Sequence, residues 1–219
     1  MKFGTSTITL PIRNPVILAK ELATLDFLSN GRVLPVIGLG QEDPAEYQAV
    51  GILKSERGRR TDEAILLMRS LWQQQPCTFQ GVFHQVDQVS LNPKPIQQPG
   101  PPLWIGGRSQ AALQRVGRLG DGWLASFIRP KESGQGIHAI RRYAELAGRT
   151  IPEDHYGTFI SCAITDSEAE ATRALALFTN PRRDGVNPGA HSVFGSPDLD
   201  ALQETPRVRS RGRERGKVS

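Results

Sequence analysis

The segment WIGGRSQAALQR, from Trp104 to Arg115, has the residue types and spacing most able to bind a ligand. Gly106 and Gly107 follow a predicted strand, and glycines let the backbone approach a ligand closely. Arg108 and Ser109 then stand at the predicted start of a helix, where free N–H groups and the helix dipole attract an anion. This arrangement predicts a cradle for a phosphate group. It equally fits a tight turn with a serine cap, and it is neither a Walker loop nor a G-x-G-x-x-G motif.

Two other places have the small residues that a bound ligand needs. The first predicted strand carries four hydroxyl side chains, which also fit a plain run of β-formers. They are Thr5, Ser6, Thr7 and Thr9. Gly38 and Gly40 close the second strand, at the carboxyl end where parallel α/β folds carry their sites. The charged run at 55–63 is interpreted instead as a solvated helix start with Arg–Glu and Arg–Asp pairs.

No catalytic residue is predicted, because no nucleophile–base pair is visible. The candidate serines lack a G-x-S-x-G context, and His84 is interpreted as a half-exposed residue of a hairpin strand. The four histidines are scattered, and Cys77 and Cys162 lie 85 positions apart, so neither a metal site nor a disulfide scaffold is predicted. An enzyme without its own acid–base groups often takes its chemistry from a cofactor.

Strands alternate with helices along most of the chain. Strands are predicted at Lys2–Leu10, Arg32–Gly40, Leu103–Ile105, Gly122–Phe127 and Gly157–Ile164; helices at Pro15–Leu28 (capped by Asn14), Glu56–Trp72, Ser109–Leu119, near Ile137–Ala147, and from Ser167. Residues 77–91 alternate around Gly81 and predict an inserted β-hairpin, which a proline-rich connector follows. Five strand–helix units indicate a parallel sheet covered by helices. They fit either an open doubly wound sheet or part of a closed eight-stranded barrel.

The positive charge is concentrated at one end of the chain. The 219 residues carry a net charge of +5, and the stretch from Pro206 to Ser219 accounts for all of it. We therefore predict a body at residues 1–180 and a loop-rich, disordered basic tail at 181–219. Nucleic-acid association through the arginines is the lesser alternative, because the tail has no aromatic residues for base stacking. No apolar run suits a membrane span or a signal peptide, so we expect a cytoplasmic protein.

Four segments in this order and spacing closely resemble the bacterial-luciferase-like monooxygenase superfamily of flavin- or deazaflavin-dependent oxidoreductases. They are NPVILAKELATLDFLSNGRV, ERGRRTDEAILLMRSLW, TFQGVFHQVDQVSLNPKPIQ and PPLWIGGRSQAALQRVGRLGDGWLAS. The resemblance covers roughly residues 1–180 and implies a (β/α)8 TIM barrel of the α/β class. It also implies that FMN, or the deazaflavin coenzyme F420, binds at the carboxyl ends of the strands.

The resemblance also assigns roles to individual residues. The cofactor phosphate would lie near Gly106, Gly107, Arg108 and Ser109. Family members often carry a non-prolyl cis peptide in the strand beside the flavin ring, which maps to Ser6–Thr7, and Asn14 matches a position near the ring edge. Gly38 and Gly40 lie in the loop where flavin-using members often have a phosphate-binding arginine, which favours the deazaflavin here.

The chain also departs from the family pattern. The family has two further strand–helix units ahead of the position matching Lys2, and the end of this chain does not continue the pattern after FGSPD. We therefore expect an incomplete barrel with strands three to seven of eight. Its exposed edges predict a homo-oligomer, and the partner of its site is a small-molecule substrate that the sequence does not identify. The alternative to an active oxidoreductase is a catalytically incompetent fragment that retains at most ligand binding.

Overall fold

The first predicted strand is interrupted in the structure. A computed structural model describes residues 1–40, 43–126, 128–159, 161–164, 167, 169–170, 173 and 192–195. Strands β1 (Phe3–Gly4) and β2 (Ile8–Thr9) replace one continuous strand. They pair in parallel with β3 (Val33–Leu34) and β4 (Val36–Gly38), which are separated by Pro35. The predicted strand Arg32–Gly40 is thus divided at Pro35, since proline has no N–H to donate to a neighbouring strand.

A threonine hydroxyl bridges the interruption between the two strand pairs. The Thr5 hydroxyl donates to the carbonyl of Val36 at 3.0 Å and accepts from the N–H of the same residue at 2.9 Å. A side chain therefore supplies both hydrogen bonds that a paired strand residue would have made with its backbone. Between Thr5 and β2, the peptide bond Ser6–Thr7 is cis.

Five strands form the main sheet in the order β2–β4–β7–β8–β9, and the first four of these run parallel. The last three are β7 (Trp104–Gly106), β8 (Gly122–Ser126) and β9 (Tyr156–Phe159). Val36 lies opposite Trp104, and Ile105 lies opposite Trp123, in the parallel register of these strand pairs. The α/β class and the run of five strands are confirmed, and the chain has the fold of an incomplete (β/α)8 barrel.

Five α-helices are described. They are α1 (Pro15–Leu28), α2 (Pro44–Gln48), α3 (Arg57–Gln73), α4 (Gln110–Leu119) and α5 (Pro130–Leu146). Short 3-10 turns at Leu10–Ile12 and Lys54–Glu56 precede α1 and α3. The Asn14 side chain caps α1 as predicted, and Asn30 and Gly31 end it with φ of 56° and 74°. Helix α5 begins earlier than predicted, at Pro130, which is well suited to a first helical turn.

The two faces of the sheet have different neighbours. Ile37, Ile105 and Trp123 are buried on the face that the helices cover. A methyl group at Gly136 of α5 would come to 2.6 Å from the Trp123 ring, so the absence of a side chain there lets this helix lie against the sheet. Trp104 lies on the opposite face, across Gly122 of the neighbouring strand. The helices α1 and α3 are joined by a hydrogen bond from Trp72 Nε1 to the carbonyl of Ala19, at 3.0 Å.

The predicted hairpin is confirmed. Strands β5 (Cys77–Gln80) and β6 (Gln85–Val89) pair antiparallel, with a register shift between Cys77 and Phe79. The turn between them is fixed to α3 by Glu63, whose carboxylate accepts the backbone N–H groups of three consecutive residues. These are Val82 at 2.8 Å, Phe83 at 2.7 Å and His84 at 2.6 Å. A connector at 92–102 with cis bonds before Pro93 and Pro99 then leads to β7.

The chain divides into two compact units. The first comprises Met1–Ala125 and Gly134–Gly157, and contains most of the sheet. The second comprises Ser126–Ser133 and Thr158–Ser219; within it, β10 (Ser161–Ile164) pairs in parallel with β11 (Ser192–Gly195). The sequence pattern did not predict β11. Ser167 accepts the Glu170 N–H at 3.3 Å, which confirms the predicted capping bond.

Two predictions concern parts of the chain that the structure does not describe. The boundary at residue 180 and the predicted disordered basic tail at 181–219 lie outside the described residues, except for Ser192–Gly195, which forms the strand β11 where a loop-rich tail is predicted. In the part that is described, every helix is too short or too polar to cross a membrane.

Candidate functional site

Three of the predicted site residues come together at the carboxyl ends of the strands. A Cβ built on Gly38, at the end of β4, would lie 3.1 Å from Thr7 Oγ1. One built on Gly106, at the end of β7, would lie 3.4 Å from Thr7 Cγ2. The Thr7 side chain thus lies across two neighbouring strand ends that have no side chains of their own. The result is a shallow cradle with a polar edge, formed by Thr7, Gly38 and Gly106.

Gly40 continues this surface beyond β4. It is exposed, has φ of +85°, and a Cβ there would lie 2.5 Å from Thr9 Cγ2 and 2.9 Å from the Tyr47 hydroxyl. Tyr47 is fully buried, and its hydroxyl donates to the carbonyl of Leu39. The loop therefore passes close to the first strand, and any side chain at Gly40 would push it away.

The loop after β7 leads directly into the exposed start of helix α4. Gly107 has φ of +112°, and a Cβ there would lie 2.9 Å from the Ala112 Cβ. Its carbonyl accepts the indole N–H of Trp123 at 2.8 Å, which fixes the loop to the buried face of the sheet. Ser109 caps α4 by accepting the Ala112 N–H at 3.2 Å. Arg108 and Ser109 are exposed, so the first turn of this ten-residue helix faces solvent.

Ser6 and Asn14 are placed nearby in the chain, but with different roles. Ser6 is exposed and precedes Thr7 through the cis peptide bond, so the predicted cis bond is confirmed. The Asn14 amide oxygen accepts from Val16 N at 2.9 Å and Ile17 N at 3.3 Å. Its oxygen is therefore engaged by the helix, and its NH2 group carries the donors that a ligand would meet.

In the charged run at 55–63, Arg60 pairs with Glu56 at 3.0 Å within the helix start, as predicted. Asp62 instead pairs with the buried Arg115 of α4, a contact between two helices that the sequence did not predict. His84 lies in the hairpin turn rather than within a strand, so that detail of the prediction is wrong. Burial lowers the pKa of His84 below its ordinary value; the Glu63 carboxylate raises it, and Arg60 lowers it.

A cluster of charges that no sequence pattern predicts lies at the opposite ends of the strands. Asp121, directly before β8, binds two guanidinium groups: Arg69 Nη2 lies 2.7 Å from Oδ2, and Arg149 Nη2 lies 3.0 Å from Oδ1. Oδ2 also accepts the N–H of Leu103 at 2.9 Å. The partners are separated by 52 and 28 positions in the chain, so no spacing motif indicates the cluster.

Comparisons with known proteins agree with this architecture. The family model for luciferase-like monooxygenases matches residues 1–217. The FMNH(2)-dependent dimethylsulfone monooxygenase of Pseudomonas fluorescens (strain Pf0-1) is 30% identical over 201 residues, which cover 88% of this chain and 51% of the relative. The F420-dependent glucose-6-phosphate dehydrogenase of Kineococcus radiotolerans is 30% identical over 162 residues, covering 68% and 45%.

A solved structure gives the same result for the fold. An F420-dependent secondary alcohol dehydrogenase in complex with an F420–acetone adduct matches with a TM-score of 0.72 and 25% identity, covering 86% of this chain and 59% of that one. The chain spans about half the length of the curated relatives it matches.

Proposed function

The chain belongs to the luciferase-like monooxygenase family, and from that membership we propose that it is an oxidoreductase that uses FMN or the deazaflavin coenzyme F420. The cofactor phosphate binds at Gly106–Ser109, and the ring lies on the cradle formed by Thr7, Gly38 and Gly106. When bound, the cofactor supplies hydride transfer to a small-molecule substrate, or oxygen activation for monooxygenation. Its substrate is a small molecule that enters from the open side of the cradle.

The observation that carries the proposal is the exposed start of α4 behind Gly107. With φ of +112° and only 2.9 Å between a built Cβ and Ala112, this position accommodates glycine alone. The chain therefore presents backbone rather than side chain to a ligand. The N–H groups of the first helical turn and the positive end of the helix dipole both favour an anion there. Ser109 can accept its capping bond and still donate its hydroxyl proton to a phosphate oxygen.

The residues of the cradle fit a flat ring. A Cβ on Gly38 or Gly106 would occupy the space directly over the Thr7 side chain, at 3.1 and 3.4 Å from its atoms. Because Gly38 and Gly106 have no side chains, the exposed Thr7 side chain lies over both strand ends and forms a surface against which an aromatic ring can lie. The Thr7 hydroxyl at its edge offers a donor and an acceptor to a polar ring atom. Bound there, the ring would also shield the cradle from water.

The choice between the two cofactors rests on the loop after β4. Relatives of both kinds are 30% identical to this chain, so the identity does not favour either. The loop begins Gly38–Leu39–Gly40 and supplies no guanidinium at a position where flavin users often have one. We therefore propose the deazaflavin as the preferred cofactor, with FMN as the competitor.

A titration of the purified full chain with each cofactor tests the proposal. Cofactor fluorescence reports binding, and the double variant R108A/S109A removes the side-chain donors at the phosphate. We expect at least about tenfold weaker binding, because hydrogen bonds to a charged group contribute ~1.5–3 kcal/mol each. The matched control R142A/S90A makes the same changes at two exposed positions elsewhere. Equal affinities in the two double variants, or no binding to the folded chain, would contradict the proposal.

A second candidate function is ligand binding without turnover. The nine predicted site residues include hydroxyls, an amide and a guanidinium, but no carboxylate or imidazole. Proton transfer therefore has no carrier among them, and a chemical step that needs one would not proceed. The two functions separate experimentally: a reduced cofactor that binds tightly, yet is oxidised no faster than in buffer with any candidate substrate, indicates binding alone.

A further inference from the structure

A cavity of about 520 Å³ lies at the amino-terminal ends of β7 and β8, opposite the cradle. Its size is within the range of small-molecule sites, ~300–1,000 Å³. Leu103 and Asp121, the residues directly before these strands, meet beside it. The cofactor residues Gly106 and Gly107 lie at the other ends of the strands, so this cavity is not part of the proposed cofactor site.

The charges of the cavity are unbalanced. Arg69 and Arg149 both line it, and both bind the single carboxylate of Asp121. The two guanidinium groups thus share one negative charge, leaving a net positive charge on the three side chains. Besides Asp121, Arg149 binds the Gly117 carbonyl through Nη1, at 3.2 Å. Both arginines line the cavity, are about one-quarter exposed, at 23% and 26%, and carry further N–H donors that these contacts do not use.

Among the described residues that line the cavity, Asp121 is the only carboxylate. Asp26 lies behind Gln97 and is fully buried, and its carboxylate accepts Gln97 N at 2.9 Å and Nε2 at 2.7 Å. Burial lowers the pKa of Arg149, and repulsion from Arg69 lowers it further; only Asp121 opposes them. A second anion beside the two arginines would relieve that repulsion.

The walls of the cavity favour a ligand larger than a single ion. Trp72 and the prolines Pro99, Pro101 and Pro102 form an apolar, stiff side, and the exposed Gln73 adds an amide at the rim. Arginine forks bind oxyanions with two parallel hydrogen bonds, which suits a phosphate or a carboxylate group. We propose that this cavity is a second binding site, which holds the phosphate or carboxylate group of a small organic molecule between Arg69 and Arg149.

An NMR titration of the full chain with inorganic phosphate, and separately with malonate, tests this site. The backbone amides of Gln97, Gln98 and Gly100 and the Nε–H of Arg149 report binding in the cavity. We expect saturable shifts in these signals. The tighter of the two anions then distinguishes a phosphate from a carboxylate ligand. Phosphate bound at the start of α4 would shift the amides of residues 108–111 instead.

Arg149→Gln removes one guanidinium, and we expect at least about tenfold weaker binding, the loss that follows removal of a charge-assisted hydrogen bond. Its control is Arg142→Gln, which removes an exposed arginine of α5 outside the cavity. If Arg149→Gln fails to fold, Gln73→Glu places a negative charge at the rim without breaking an ion pair, and should weaken binding about threefold or more. Gln114→Glu is the control for that change.

Shifts that do not saturate, or equal affinities in each variant and its control, would overturn the proposal. The three charged side chains would then serve only to hold the strand ends together. The cofactor titration is independent of this result, because Arg149→Gln leaves residues 106–109 intact. If Arg149→Gln loses anion binding and keeps cofactor binding, the second site is supported. If R108A/S109A loses cofactor binding, anion binding in the cavity should remain unchanged.

Discussion

Replacing Glu63 by glutamine should release the hairpin turn from helix α3. The carboxylate accepts three backbone N–H groups: Val82 on Oε2, at 2.8 Å, and Phe83 and His84 on Oε1, at 2.7 and 2.6 Å. Glutamine has the same shape but only one acceptor oxygen. If that oxygen faces Phe83 and His84, the new NH2 group faces the N–H of Val82, donor against donor.

The expected loss follows from the contacts. One charge-assisted bond is lost and two others become neutral bonds. Hydrogen bonds to charged groups contribute ~1.5–3 kcal/mol, against ~0.5–1.5 for neutral ones. The turn is partly exposed, with Val82 at 82%, so water replaces some of what is lost. We expect a decrease in the free energy of unfolding of about 1.5–2 kcal/mol, which lowers Tm by about 3–8 °C in a chain of this size.

Thermal and denaturant unfolding of Glu63→Gln and Glu145→Gln measure this difference. Glu145 is an exposed carboxylate of α5, so its replacement changes the net charge equally without touching the hairpin. Hydrogen exchange gives the local readout: the amides of Val82, Phe83 and His84 should be protected in the parent and exchange quickly in Glu63→Gln. Equal stability of the two variants, with unchanged protection of these amides, would refute the reasoning.

Three further predictions follow from single contacts. Gly107→Ala should cost about 1–3 kcal/mol in unfolding free energy, because φ of +112° and a Cβ 2.9 Å from Ala112 both oppose a side chain; Tm measures this, and a stability equal to the parent would contradict it. Trp123→Phe removes the 2.8 Å bond to the Gly107 carbonyl, ~0.5–1.5 kcal/mol, and also leaves a cavity where the fully buried indole packs, so we expect a total loss of about 2–4 kcal/mol in unfolding free energy and weaker cofactor binding; unaltered cofactor affinity would show that the position of this loop does not affect binding. Burial holds the pKa of His84 below its ordinary 6.5, so the unfolded chain takes up the proton first, and stability falls as pH decreases from about 6.5 towards the lower folded value. His84→Gln should show a shallower loss of stability over that range in denaturant unfolding; an identical slope would exclude His84 as the cause.

Local signals in the sequence predicted most elements of the fold. Asn14 followed by Pro15 predicted the start of α1, and Ser109 predicted the cap of α4; the structure confirms both with side-chain bonds. Asp43 followed by Pro44 carries the same signal, and the Asp43 side chain accepts the Ala45 N–H at 3.0 Å. The short helix α2 was nevertheless missed, because a polar segment has too little apolar periodicity to suggest a helix.

Local sequence signals do not predict the interruption between β1 and β2. The run of hydroxyl and β-branched residues favours a continuous strand. What breaks it is a partner 31 positions away: Thr5 uses its hydroxyl, not its backbone, to bind Val36 next to Pro35. The resemblance to a family predicted the cis bond at Ser6–Thr7, whereas no propensity of serine or threonine favours one.

Several candidate cofactor residues have local signals in the sequence, because they are consecutive or end predicted strands. Gly106, Gly107 and Ser109 define a strand end, a turn and a helix cap within four positions, and each has a local physical reason for its residue type. The contact of Thr7 with Gly38 and Gly106 follows once the strands are known to be parallel, because parallel strands bring their carboxyl ends to one edge of the sheet.

No local sequence signal predicts the charged cavity. Arg69 lies near the end of a helix, Asp121 before a strand and Arg149 after another helix, and each alone looks like an ordinary surface charge. Because β7 and β8 are neighbours in the sheet, Leu103, just before β7, donates its N–H to the Asp121 carboxylate, just before β8. This contact fixes the carboxylate to which both guanidinium groups bind. The same strand pair therefore positions both sites. At the carboxyl edge, glycines leave the backbone accessible to a ligand. At the amino edge, two arginines share one carboxylate and leave a net positive charge. Because each edge attracts anions through different groups, side-chain substitutions at one edge should leave binding at the other unchanged.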